Sequence, residues 1–112
     1  MPRWAASGCQ AGENIFVIGG FGNNEIMINT IEKTNYAGLV RGEAVWQLIK
    51  PSRHNFIPRA MTAVGPVNSE EIAILGGYTN LTEKSNEIYI FNTRTGRIKQ
   101  IKNENPGKFI TF

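Results

Sequence analysis

A single cysteine and a single histidine are all that these 112 residues hold of thiol and imidazole chemistry. Cys9 alone can neither close an intrachain disulfide nor build a cysteine-rich metal site, so it reads as a small buried hydrophobe in a reducing compartment. His54 sits in the segment Pro51–Pro58 with no cysteine near it in sequence, and reads as an exposed loop residue. No stretch approaches the roughly 18 apolar residues of a membrane span. The first ten residues, MPRWAASGCQ, also lack the apolar run of a signal peptide. The expectation is a cytoplasmic chain that binds no membrane, and the tripeptide Asn80-Leu81-Thr82 then carries no glycosylation signal.

Charge is sparse as well. Twelve basic and nine acidic residues give a net charge of +3, but Lys and Arg are scattered from Arg3 to Lys108. Nucleic-acid surfaces concentrate positive charge in a patch or stripe, so no nucleic-acid partner is expected. The densest stretch, Arg94–Lys102, alternates charged with apolar residues as a half-buried strand does. Glu70-Glu71 follow Asn68-Ser69, a hairpin-turn signal, and read as solvated charges at a strand edge. No general acid-base pair emerges, so neither enzymatic activity nor a cofactor or metal is expected.

Glycine, by contrast, is abundant. Twelve glycines and five prolines punctuate segments rich in Ile, Val, Phe and Tyr, the signature of many short strands joined by tight turns. The fold class is all-β.

The chain also aligns on itself at an offset of 56 to 57 residues. Pro2-Arg3 returns as Pro58-Arg59. Ile15-Phe16-Val17-Ile18-Gly19-Gly20-Phe21 returns as Ile72-Ala73-Ile74-Leu75-Gly76-Gly77-Tyr78, with one residue lost from the first hairpin of the first copy. Asn35 matches Asn92. Beyond it Trp46–Lys50 matches Ile98–Lys102 with five extra residues in the first copy, within Tyr36–Glu43, and an insertion belongs in a turn. Each copy divides into four strand-length segments: Trp4–Gly8, Ile15–Gly19, Ile28–Thr34 and Ala44–Ile49, then Ala60–Val64, Glu71–Gly76, Asn86–Asn92 and Arg97–Ile101. The organisation is a first repeat over 2–50, a link over 51–57, a second repeat over 58–102, and a tail over 103–112. Lys108–Phe112 resembles Asn55–Arg59 and is expected to begin a third repeat.

Four short strands per unit of about 50 residues match the period of kelch blades. With its Pro-Arg start, a glycine doublet closing the second strand and large apolar residues at the third and fourth, the chain resembles the kelch-repeat β-propeller superfamily over residues 2–102. The aromatic pair departs from the family pattern: Phe91 and Ile98 occupy the two places in the second repeat, whereas the first has Trp46 but Thr34, with Tyr36 nearby. The resemblance implies two four-stranded antiparallel blades of a partial propeller. It gives Gly19, Gly20, Gly76 and Gly77 the task of building tight turns in crowded backbone rather than cradling phosphate. Trp46, Phe91, Ile98 and Ile101 would fill the space between blades, and Trp4 is expected in a core.

Kelch propellers present loops at one face to peptides or proteins. The resemblance therefore implies a protein-interaction module, an adaptor or scaffold, binding a protein or peptide through the loops after the glycine doublets. Phe21, Asn23, Tyr78 and Asn80 are the candidate contact residues, with Arg3 and Arg59 available to an acidic ligand if salt bridges within the blade do not occupy them. A cytoskeletal, actin-associated protein and a fragment of a propeller enzyme such as an oxidase are the alternatives. Two blades cannot close a propeller, so the chain is expected either to be a segment of a longer propeller or to self-associate.

Overall fold

The computed structural model describes residues 3–50, 56, 58–80 and 83–101, with only the backbone of Glu25. Pro2, His54, Leu81, Lys102 and the tail over 103–112 lie outside the described residues.

Two four-stranded antiparallel sheets form, each in simple sequence order. The first holds β1 (Ser7–Ala11), β2 (Asn14–Ile18), β3 (Ile31–Asn35) and β4 (Gln47–Ile49); the second holds β5 (Ala63–Pro66), β6 (Glu71–Leu75), β7 (Ile88–Asn92) and β8 (Ile98–Ile101). The lost hairpin residue is visible in the register. Gln10 pairs with Ile15 across a four-residue gap, and its equivalent Pro66 pairs with Ile72 across five. In that longer turn Asn68 Oδ1 accepts from the backbone N–H groups of Glu70 and Glu71 at 2.8 and 2.9 Å, an Asx turn.

The repeat is equally plain in the backbone hydrogen bonds. Gly19 N donates to Thr30 O as Gly76 N does to Glu87 O, Ile28 N to Gly20 O as Ser85 N to Gly77 O, and Tyr36 N to Glu13 O as Thr93 N to Glu70 O. The five-residue insertion holds one short helix, α1 (Tyr36–Val40), which Asn35 caps by accepting from Gly38 N at 3.0 Å.

The first strand of each repeat begins later than its sequence suggests, at Ser7 and Ala63 rather than Trp4 and Ala60. The cause is a positive φ at the equivalent residues Ala5 (+55°) and Met61 (+56°), which breaks the extended chain. Upstream of the break, Trp4 and Ala60 make only single bridges to Phe21 and Tyr78. The third strands also start late, at Ile31 and Ile88, because the segment before each wraps an arginine. Arg3 donates to both Gly19 O (2.9 Å) and Thr30 O (3.0 Å), and Arg59 occupies the same position in the second repeat.

β1 lies beside β5, so the sheets fan out from their first strands. The two sheets pack through faces that are not equivalent in the repeat. The first buries Phe16, Ile18 and Ile31; the second buries Ile72, Ile74, Tyr89, Phe91 and Ile98, whose repeat equivalents are Ile15, Val17, Glu32, Thr34 and Trp46. We term the Phe16 side of a sheet its leading face and the Ile15 side its trailing face. The leading face of the first sheet therefore packs on the trailing face of the second, with Phe16 meeting Phe91 edge-on at 6.1 Å. Each fully buried side chain of this set contributes roughly 1.5–3 kcal/mol. Phe91 and Ile98 fill the space between the sheets, whereas Trp46 and Ile101 lie on the two outward faces, 43% and 37% exposed. Cys9 is half-buried against this core, and burial pushes its thiol pKa up.

Candidate functional site

The site is built on the two glycine doublets. All four residues have φ between +62° and +96°, a region open to glycine and costly to residues with a Cβ. The neighbouring backbone is also too close for one: a Cβ on Gly20 would stand 2.6 Å from Trp4 O, and one on Gly77 2.6 Å from Thr62 Cγ2 and 2.8 Å from Ala60 O. A Cβ on Gly19 would collide with the carbonyl oxygen of Arg59. Absence of side chains thus lets residues 4–6 and 60–62 cross directly under the doublets. Gly20 N donates to Arg59 O at 2.8 Å, Arg59 N to Ile28 O at 3.3 Å and Met61 N to Ala5 O at 3.0 Å, which stitches the first sheet to the second. The Ser7 hydroxyl adds a bond to Thr62 O.

Beyond each doublet the chain makes a tight loop: Gly22 N donates to Ile26 O in the first, and Thr79 N to Glu83 O in the second. The first loop includes a 3-10 turn over Asn23–Glu25, with Asn24 at φ +60°, and in the second Asn80 Oδ1 accepts from Glu83 N at 2.9 Å. Between the two loops runs an open groove of about 210 Å³ lined by Trp4, Phe21, Met27, Met61, Tyr78 and Asn80. Its walls are almost wholly apolar. Trp4 stacks on Phe21 at 4.4 Å with the rings 19° from parallel, while Lys84 Nζ lies 5.9 Å above the ring of Tyr78.

Three of the four loop residues singled out by sequence, Phe21, Tyr78 and Asn80, come together in this groove; Asn23 is exposed on the first loop and is not among the lining residues. Two assignments change. Phe21 is buried, because Trp4 covers it, and Trp4 is itself 54% exposed rather than in a core. Sequence comparison of the repeats pairs Trp4 with Ala60, and a large exposed side chain where the other copy has a buried alanine is the signal that marks it. Met61, 58% exposed, was overlooked because its prominence comes from the positive φ, which the residue type does not announce.

The two arginines are committed to partners within the chain. Arg59 is fully buried, its guanidinium carbon 4.9 and 4.8 Å from the ring centroids of Phe56 and Tyr89, which themselves meet edge-on at 5.1 Å, and it is bonded to Glu87 Oε1 at 2.9 Å, with weaker contacts to Gly76 O and Ser85 Oγ at 3.4 Å. Arg3 bonds Glu32 Oε1 at 2.7 Å and Thr30 Oγ1 at 3.3 Å, besides the two carbonyls. Tyr89 donates to Glu87 Oε2 at 3.0 Å. Burial, and then this hydrogen bond to a carboxylate, raise its phenol pKa above the usual value near 10.0. Neither arginine points into the groove, so the groove offers apolar contact and one amide rather than charge.

Among the described residues no three His, Cys, Asp or Glu side chains gather as a metal-binding group, and no helix is long and apolar enough to cross a membrane. No model of a known protein family matches the chain, and no curated protein matches it.

Proposed function

We propose that the chain is a kelch-type pair of propeller blades that binds another protein, and that the groove between the doublet loops is the contact surface. One observation carries this reading: an indole, two thioethers and a phenol ring converge on solvent at one end of both sheets, held on loops that the glycine doublets fix to the blades. Exposed aromatic and methionine side chains on a rigid support are what a peptide side chain inserts against at low entropic cost. The groove's apolar walls favour a partner segment with a large aliphatic or aromatic anchor, and Asn80 can add a polar contact at its rim.

The test is selection of binding peptides from a displayed random library against the chain, followed by affinity measurement on variants. Trp4→Ala and Tyr78→Ala should each weaken binding by about 1–2 kcal/mol, roughly tenfold. Met61→Glu, which places a charge in the groove at an exposed position, should abolish it. Selected peptides that bind all three variants as tightly as the parent would locate the binding surface elsewhere.

A further inference from the structure

Both outward sheet faces carry apolar side chains beside a few polar ones, Glu32 and Thr34 on the first sheet and Glu71 and Lys99 on the second, and the repeat says what each face fits. On the leading face of the second sheet stand Ala73, Leu75, Ile88, Ile90 and Ile101, and on the trailing face of the first stand Ile15, Val17, Leu48 and Trp46. These are the same two kinds of face that already pack together inside the chain. We propose that a second copy of this chain docks here head to tail, its trailing face on the first copy's leading face, repeating the internal contact between identical molecules.

The side chains at the two outward faces have exchanged bulk in a matched way. Inside the chain, Phe16 of a leading face meets Phe91 of a trailing face. At the outward faces the equivalents are Ala73 and Thr34, so both rings of that pair are gone. Next to Thr34, Trp46 stands where the internal contact has Ile98. The loss of two rings opposite each other is thus answered by an indole beside them. A hollow of about 350 Å³ opens at the leading face, where Ile90, the register partner of Ala73, is flanked by the polar and charged side chains of Glu71, Asn92, Arg97 and Lys99. Trp46 is half-exposed and lines a smaller hollow, of about 220 Å³, with Arg3, Val17 and Glu32. The backbone stitches have equivalents as well: Gly77 N and Ser85 O stand where Gly20 N and Ile28 O bind the main chain of Arg59, and the main chain of Arg3 from the docked copy takes that place.

A contact between two different faces of identical copies is heterologous and either closes into a ring or grows as a filament. Blades of this size close at roughly 4 to 8, which is about two to four copies of a two-sheet chain. The docking takes the backbone of Gly77 and Ser85 but none of the six side chains that line the groove, so variants of those side chains test the groove alone and variants of the outward faces test the docking alone.

The experiment is sedimentation velocity on the full chain and on two single variants, Trp46→Glu on the trailing face and Ile90→Glu on the leading face, with circular dichroism to verify folding. The parent is expected as a closed species of about two to four copies, each variant alone as a monomer, and their equimolar mixture as a one-to-one dimer, because each supplies the face the other lacks. The pair Trp46→Ala and Ile101→Lys, a milder change at the first position and a more exposed second position, repeats the mixing test should a glutamate unfold the sheet. A parent that stays monomeric to about 100 µM, single variants that still associate, or folded variants that do not combine on mixing would each overturn the proposal.

Discussion

Replacing Arg59 by methionine isolates the part of the second sheet's stability that comes from holding a cation against two rings. The exchange keeps most of the apolar stem, so little cavity forms. Glu87 is not stranded, since it also accepts from Ser85 Oγ at 3.2 Å and from Tyr89 Oη at 3.0 Å and its side chain is 26% exposed. What is lost is the cation against Phe56 and Tyr89, about 0.5–2 kcal/mol per ring in a desolvated site. The ion pair adds its own loss, and the relief of no longer burying a guanidinium acts against both. The balance is a net loss of about 1–3 kcal/mol, read as the shift in urea midpoint at fixed protein concentration. Arg59→Ala should lose about 2 kcal/mol more, because it also empties the space beside the rings. Arg59→Lys should fall between wild type and Met, keeping charge without the planar guanidinium. If Arg59→Met were within about 0.5 kcal/mol of wild type, the cation–ring contacts would contribute nothing net and this reasoning would fail.

Further expectations concern the doublets and the titrating groups. Gly77→Ala should destabilise by about 2–4 kcal/mol, combining a positive φ with a Cβ inside contact distance of Ala60 O and Thr62 Cγ2, whereas Gly96→Ala, also at positive φ but with nothing within 4 Å of its added Cβ, should lose only about 1–2 kcal/mol; equal losses in thermal melts would remove the crowding argument. Burial raises the pKa of both Cys9 and Tyr89 above their usual 9.0 and 10.0, so the folded state holds these protons more tightly than the unfolded state. Their contribution is complete below the unfolded titration range and is lost as pH climbs through the raised values, so urea midpoints should fall above about pH 9. Cys9→Ser with Tyr89→Phe should flatten that decline, and an unchanged slope would contradict it.

The sheets were readable in advance because their determinants are local. Alternating apolar residues at Ile72, Ile74, Tyr89 and Phe91, with Gly-Gly ending β2 and β6, set strand identity, hairpin order and the deleted turn residue without reference to anything distant. The short helix had a signal too, in Asn35 ahead of Ala37 and Leu39, within a segment otherwise read as a turn. The features that escaped depend on the tertiary partner. Nothing in Ala5 or Met61 states a positive φ, since that is imposed by the crossing under the doublets. Which of Phe16 and Ile15 faces inward is decided by the second sheet, and the same choice turns Trp46 outward. Phe56 reaches Arg59 and Tyr89 from the link between repeats, so this cation–ring cluster is a meeting of segments that periodicity treats separately. Trp4 and Phe21 were both visible as large apolar residues; only their stacking shows which one covers the other.

The most direct test of the binding surface labels the methionine methyl groups with carbon-13 and follows them by NMR while a library-selected peptide is titrated in. Three methionines give three signals, and two of them, Met27 and Met61, line the groove. The account predicts that these two shift together with the Trp4 indole N–H, on one binding curve, while the isoleucine methyls of Ile72 and Ile74 between the sheets stay in place. Saturable peptide binding that leaves Met27, Met61 and Trp4 unmoved would contradict it.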